Sequence, residues 1–142
     1  MATSARTAWP SASNPALFRS RETRVFGGRQ PLDVDLGTDY DVVLVPNFLH
    51  HFNASDCVWF LKRAHAALRP GGRVAIVEFV SNPGRVTPPQ AAGFSLIMLA
   101  TTPEGDAYTF EEYSSMLAEA GFQRPTAHQL PASVNQAILA VR

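Results

Sequence analysis

The sequence predicts an α/β fold in which parallel strands are followed by a terminal antiparallel pair. Three observations predict it. The runs Asp41 to Val45 and Arg73 to Phe79 are almost continuously apolar, the pattern of parallel strands buried on both faces. Between them, Val58, Leu61, Ala64 and Leu68 recur at helical spacing until Arg69-Pro70-Gly71-Gly72 stops the helix. Strand, helix, turn and strand in that order make a βαβ unit with a right-handed crossover. Near the C-terminal end, Thr126 to Leu130 and Gln136 to Val141 are strand-like, and so short a connection suits an antiparallel pair.

Taken in chain order, residues 1–23 are rich in Ala, Ser, Thr, Arg and Pro, and no hydrophobic period runs through them. They are expected to be a disordered extension outside the fold; their Arg and Ser content also fits an organelle transit peptide. Regular structure is expected over residues 24–142. Val25-Phe26 reads as a short strand, and Leu32 to Leu36 alternates before Gly37 breaks it. Asn53 or Ser55 caps the helix from Asp56 to Leu68. A second helix, Thr87 to Thr101, is apolar on most sides through Phe94, Leu96, Ile97, Met98 and Leu99, so something must cover it. Thr109 followed by Glu112 is a capping box for a third helix, Phe110 to Ala120, which Gly121 ends.

The bulk numbers narrow the function. A chain of 142 residues is one modest domain. Zero net charge gives no basic surface for nucleic acid. No apolar run approaches the roughly 18 residues of a membrane span. The single Cys57 excludes an intrachain disulfide and points to the cytoplasm.

Chemistry concentrates at His50-His51, just past the first apolar strand. Ligands in open α/β sheets sit beyond the carboxyl ends of strands, and imidazole titrates near neutrality. Glu78 ends the neighbouring strand and reaches the same edge. Two adjacent His after a strand also fit ordinary loop residues bonded to backbone, and Glu78 also fits a solvated strand-end charge. No zinc ligand set accompanies the pair.

Three segments in this order carry a resemblance: YDVVLVPNFLHHFNASDC (Tyr40 to Cys57), ALRPGGRVAIVEFV (Ala67 to Val80) and TTPEGDAYTFEEYSSMLAEAGF (Thr101 to Phe122). They resemble the C-terminal part of the catalytic domain of class I S-adenosylmethionine-dependent methyltransferases, specifically the small-molecule O-methyltransferase family. The middle segment is common to many class I enzymes; the first and third narrow the match. The resemblance covers about Asp33 to Arg142.

The resemblance implies a Rossmann-like sheet with a reversed last strand and S-adenosylmethionine as methyl donor. The acceptor would be a phenol or another small hydroxylated metabolite. It makes His50 the general base and Glu78 the group that orients it. His51 falls where relatives often carry Asp. A third acidic position maps to Ala107, with Asp106 beside it, so Asp106 is the candidate third catalytic residue. Gln30, Pro46 and Asn47 are the candidate cofactor-binding residues, although Arg29-Gln30 replaces a pair that is often Gly-Asp in relatives. No glycine-rich turn after a first strand can be placed. The expectation is therefore a partial methyltransferase sheet lacking its first two strands, with residues 24–142 as a truncated catalytic domain that alone binds cofactor weakly. Its exposed sheet edge or the apolar helix 90–101 would favour a homo-oligomer. The alternative is a non-catalytic module of the same fold that associates with itself or another subunit. A Rossmann oxidoreductase fragment is disfavoured, because no G-x-G-x-x-G follows a strand.

Overall fold

A computed structural model of the chain describes residues 35–142. Residues 1–23, the Val25-Phe26 strand and Gln30 lie outside the described residues. The described part of the Leu32 to Leu36 candidate, Asp35 and Leu36, is not strand. Here the chain turns instead: the Gly37 N–H donates to Asp35 Oδ1 at 2.9 Å, and Gly37 takes φ 76°.

Strand β1 (Tyr40–Pro46) leads through α1 (Ala54–Ala67) to β2 (Leu68–Glu78), and β1 and β2 pair in parallel. This is the βαβ unit the apolar runs predict. Helices α2 (Pro89–Thr101) and α3 (Phe110–Glu119) follow, then β3 (Gln123–Gln129) and β4 (Gln136–Val141). β4 inserts antiparallel between β2 and β3, giving the sheet order β1-β2-β4-β3. The terminal antiparallel pair is thus present, and its inner member lies directly against the parallel unit.

Local chemistry explains the helix ends. Asn53 Oδ1 accepts from the Asp56 N–H at 2.9 Å and starts α1. Thr109 and Glu112 form the reciprocal capping box of α3. Gly121 follows α3 at φ 96°, a conformation that costs glycine little. The core lies where α1 and α3 meet the sheet, with Leu61, Val74, Ile76, Tyr113, Leu117 and Ile138 fully buried.

Two expectations need correction. β2 begins at Leu68, not Arg73, because the Arg69-Pro70-Gly71-Gly72 stop is absorbed as a bulge. Tyr40 pairs with Leu68, and the next register partners are Val42 and Arg73. Gly72 is needed there, since a Cβ would stand 2.9 Å from the Arg69 carbonyl oxygen. β1 is not buried on both faces: Val45 is buried, whereas Val42 and Leu44 are 37% and 61% exposed. Among the described residues only β2 pairs with it. What covers the apolar face of α2 lies outside the described residues. The helix buries Ala91 and Met98 and exposes Leu96, Ile97 and Leu99. No described helix is long and apolar enough to cross a membrane.

Candidate active site

The site is assembled at the carboxyl edge of β1 and β2. Beyond Pro46, Asn47 adopts φ 47°, a left-handed conformation that Asn tolerates better than most residues. Its N–H still donates to the Val77 carbonyl at 2.8 Å, extending the ladder by one bond. The chain then tightens into a 3₁₀ turn, Leu49–His51.

Glu78 organises that turn. The residue is fully buried at the last position of β2. Its Oε1 accepts from the N–H groups of Phe48 at 2.7 Å and Leu49 at 2.9 Å. Its Oε2 lies 2.6 Å from His50 Nδ1. A carboxylate holding two backbone donors is an acceptor, so His50 carries its hydrogen on Nδ1 and presents a lone pair at Nε2. The same carboxylate thereby caps the turn and sets the tautomer of the imidazole.

Other elements fix the rest of the loop. Cys57 Sγ donates to the Leu49 carbonyl at 3.2 Å, and burial, then Glu78 and Asp56, push its thiol up to about 12. It is therefore an inert structural donor. Tyr108 Oη donates to the Phe52 carbonyl at 2.7 Å. The Asp106 N–H donates to the His50 carbonyl at 3.0 Å. A Cβ on Gly105 would collide with that same carbonyl, so glycine is required before Asp106.

An aromatic wall stands beside the imidazole. Phe94 of α2 meets His50 edge-on with centroids 4.8 Å apart, and it stacks on Phe79 at 4.0 Å. His50 is 5% exposed. His51 is exposed, and its Nε2 lies 3.1 Å from His50 Nε2.

The structure thus brings His50 and Glu78 into direct contact. It brings Asp106 to them by its backbone only. The Asp106 carboxylate accepts from Arg85 at 2.6 Å and from the Ser95 hydroxyl at 2.7 Å. Burial pulls its pKa up, but Ser95 and Arg85 outweigh that and hold it below the ordinary value. Arg85 also grips Glu112. Asp106 therefore ties α2 and α3 to the loop carrying His50. Nothing in the sequence marked Arg85 or Ser95 as its partners. His51 was visible as a neighbour of His50, but ring contact between sequence neighbours has no spacing signal. A cleft of about 470 Å³ opens beside Asn53, Arg85, Ser95, Leu99 and Asp106; His50 does not line it.

Pro46 and Asn47 are both exposed at the end of β1. The Asn47 side-chain oxygen accepts from Asn135 Nδ2 at 2.9 Å, and Asn135 Oδ1 is buried without a partner among the described residues. One spare amide oxygen falls short of a nucleoside cradle. Pro46 and Asn47 with Asn135 do not by themselves make a nucleoside-binding pocket among the described residues.

A family model described as an O-methyltransferase domain matches residues 27–123. The chain is 39% identical over 84 residues to mouse acetylserotonin O-methyltransferase, covering 59% of this chain and 21% of that protein. Among solved structures, a Nostoc punctiforme protein assigned as an O-methyltransferase aligns with a TM-score of 0.76 at 51% identity, over 78% of this chain and 34% of that one. Human N-acetylserotonin methyltransferase in complex with SAM aligns with a TM-score of 0.71 at 25% identity, over 82% and 35%. The chain thus spans about a fifth to a third of the length of these relatives.

Proposed function

The chain belongs to the O-methyltransferase domain family, and from that premise we propose that it carries the acceptor-side half of an S-adenosylmethionine-dependent O-methyltransferase site. One observation supports this reading above the others: the buried Glu78 carboxylate 2.6 Å from His50 Nδ1, which leaves the Nε2 lone pair on the side of the exposed His51 ring. A hydroxyl bonded to that lone pair gains nucleophilicity as its proton departs. General-base assistance of this kind contributes about 10²–10⁴-fold. The proton on Nε2 makes an imidazolium, which Glu78 stabilises through Nδ1–H as the orienting member of a triad does. The family uses S-adenosylmethionine as methyl donor. Residues outside the acceptor side must complete its pocket; Pro46 and Asn47 are the described residues we assign nearest to it.

The acceptor class follows from the walls. Phe94 stands edge-on to the base with Phe79 stacked on it, so a flat aromatic ring bearing the hydroxyl would pack against that wall. We assign a small hydroxylated aromatic metabolite.

The test is titration of a simple phenol into the full chain, followed by the His50 ring signals in NMR. Saturable shifts are expected; unmoved His50 signals at saturating phenol would overturn the acceptor-site reading. Where turnover with S-adenosylmethionine is measurable, His50→Ala should lower it by about 10²-fold or more.

A further inference from the structure

We propose that His51 is the proton exit of the His50–Glu78 couple. This inference rests on the reading of His50 as a base. His50 is 5% exposed, with Glu78 behind it and Phe94 at its side. A proton taken up at Nε2 therefore has little direct access to water, and the base cannot act again until that proton leaves. The group that meets Nε2 is His51 Nε2, at 3.1 Å, a hydrogen-bonding distance, and the His51 ring is exposed.

The tautomers close a cycle. Glu78 takes the Nδ1–H of His50, so in the resting contact His50 Nε2 accepts and His51 Nε2–H donates. When an acceptor hydroxyl takes the place of the His51 ring, its O–H bond breaks, the electron pair stays on oxygen, and the proton goes to His50 Nε2. His51, with its hydrogen on Nδ1 after exchange with water, then receives the His50 proton at Nε2. It releases its Nδ1 proton to water. The products are a neutral His50 with a free Nε2 lone pair and a His51 with hydrogen on Nε2, which is the resting contact again. The relay consumes nothing and needs no other reactant. Burial and the neighbouring His50 lower the His51 pKa, with Glu78 opposing, so His51 does not retain the proton it receives. His51 acts through His50 and makes no contact with the reacting oxygen during the chemical step.

The experiment measures proton exchange at His50 Nε2 by line shape in nitrogen-15 NMR of the full chain, through a pH titration. His51→Ala and His51→Gln are compared with the native chain. Gln can still donate to His50 Nε2 but cannot pass a proton. Both variants should slow exchange by about tenfold or more, the lower end of what a positioned proton-transfer group supplies. Added free imidazole should restore the rate in His51→Ala. Native-like exchange in His51→Gln would overturn the relay, as would a slowing in His51→Ala that imidazole leaves uncorrected. The readout needs neither phenol nor cofactor. Loss of phenol binding at His50 with the relay intact would therefore overturn the acceptor reading alone.

Discussion

Glu78 is fully buried and takes three donors from Phe48, Leu49 and His50, whereas Leu96, Ile97 and Leu99 of α2 and Leu44 of β1 stand largely exposed. The two regions lie on consecutive stretches of the same chain, yet one is over-determined and the other is unpartnered among the described residues. At the site, each backbone or side-chain atom is fixed by another element: β2 through Glu78, α1 through Cys57, and the segment before α3 through Asp106 and Tyr108. On the flank, apolar surface remains that a folded chain ordinarily buries. The contacts that hold His50 and Glu78 are therefore made among the described residues, with β2 itself paired to β1 and β4, while the flank is where further contacts add stability.

The largest way to break that contrast is Glu78→Ala. It leaves two backbone N–H groups and an imidazole hydrogen in a buried site without their acceptor. A buried donor left without its acceptor costs about 1–3 kcal/mol, readable as a lowered urea midpoint. Glu78→Gln should be milder in stability and as severe in function. Its amide nitrogen would donate to His50 Nδ1, move the ring hydrogen to Nε2 and remove the lone pair. Ring NMR of Glu78→Gln should show that tautomer exchange; an unchanged His50 tautomer would refute the role given to Glu78.

Gly105→Ala tests the same rigidity from the opposite side. The new methyl would meet the His50 carbonyl, a backbone atom that cannot turn aside. Overpacking of this kind costs about 1–3 kcal/mol. The displaced carbonyl should also lose its bond from the Asp106 N–H and shift the His50 ring signals. The control Gly93→Ala, on exposed α2 with open space about its Cβ position, should leave stability unchanged or slightly raised.

A smaller effect comes from pH. Burial lowers the pKa of both His51 and His65 from 6.5, with His50 assisting at His51 and Arg142 at His65. The unfolded chain takes up protons as pH falls through 6.5, while these folded imidazoles take them up only at lower pH. Their contribution to stability is therefore complete above 6.5 and lost as pH falls below it. Urea midpoints measured from about pH 7.5 down to about pH 5.5 should decline, and His65→Gln should flatten part of that decline. A midpoint that rises on acidification would show the sign to be wrong.

The two regions also differed in how far the residues alone reveal them. The apolar runs, the Asn53 cap and the Thr109–Glu112 box are local signals, and the corresponding elements appear within a few residues of where those signals put them. His50 follows β1 and Glu78 ends β2, adjacent strands of one βαβ unit, so topology brings them to one edge, and the family resemblance implied their pairing. Asp106 illustrates the limit. Its position beside the site was legible, but the commitment of its carboxylate to Arg85 and Ser95 depends on how the loop after β2 and α2 pack, which no periodicity encodes. The exposure of Val42 and Leu44 was equally hidden. An apolar run states that a strand prefers burial on both faces; it does not state which residues supply the cover.

The smallest expected change in stability separates the two regions most cleanly. Leu96→Ser with Leu99→Ser replaces side chains that are 68% and 77% exposed, so little packing is lost within the chain. Substitutions at such positions ordinarily shift stability by no more than about 0.5 kcal/mol, and the His50 ring signals should not move. What should change is association. A flank with exposed Leu96, Ile97, Leu99 and Leu44 favours self-contact through apolar burial, so the native chain should sediment as a concentration-dependent mixture and the double variant as a smaller species. Identical sedimentation of the two proteins would show that α2 is not the adhesive surface, leaving the β1 edge as the place to substitute next. A large fall in stability would instead mean that α2 is packed within the chain and is no less fixed than the His50–Glu78 site.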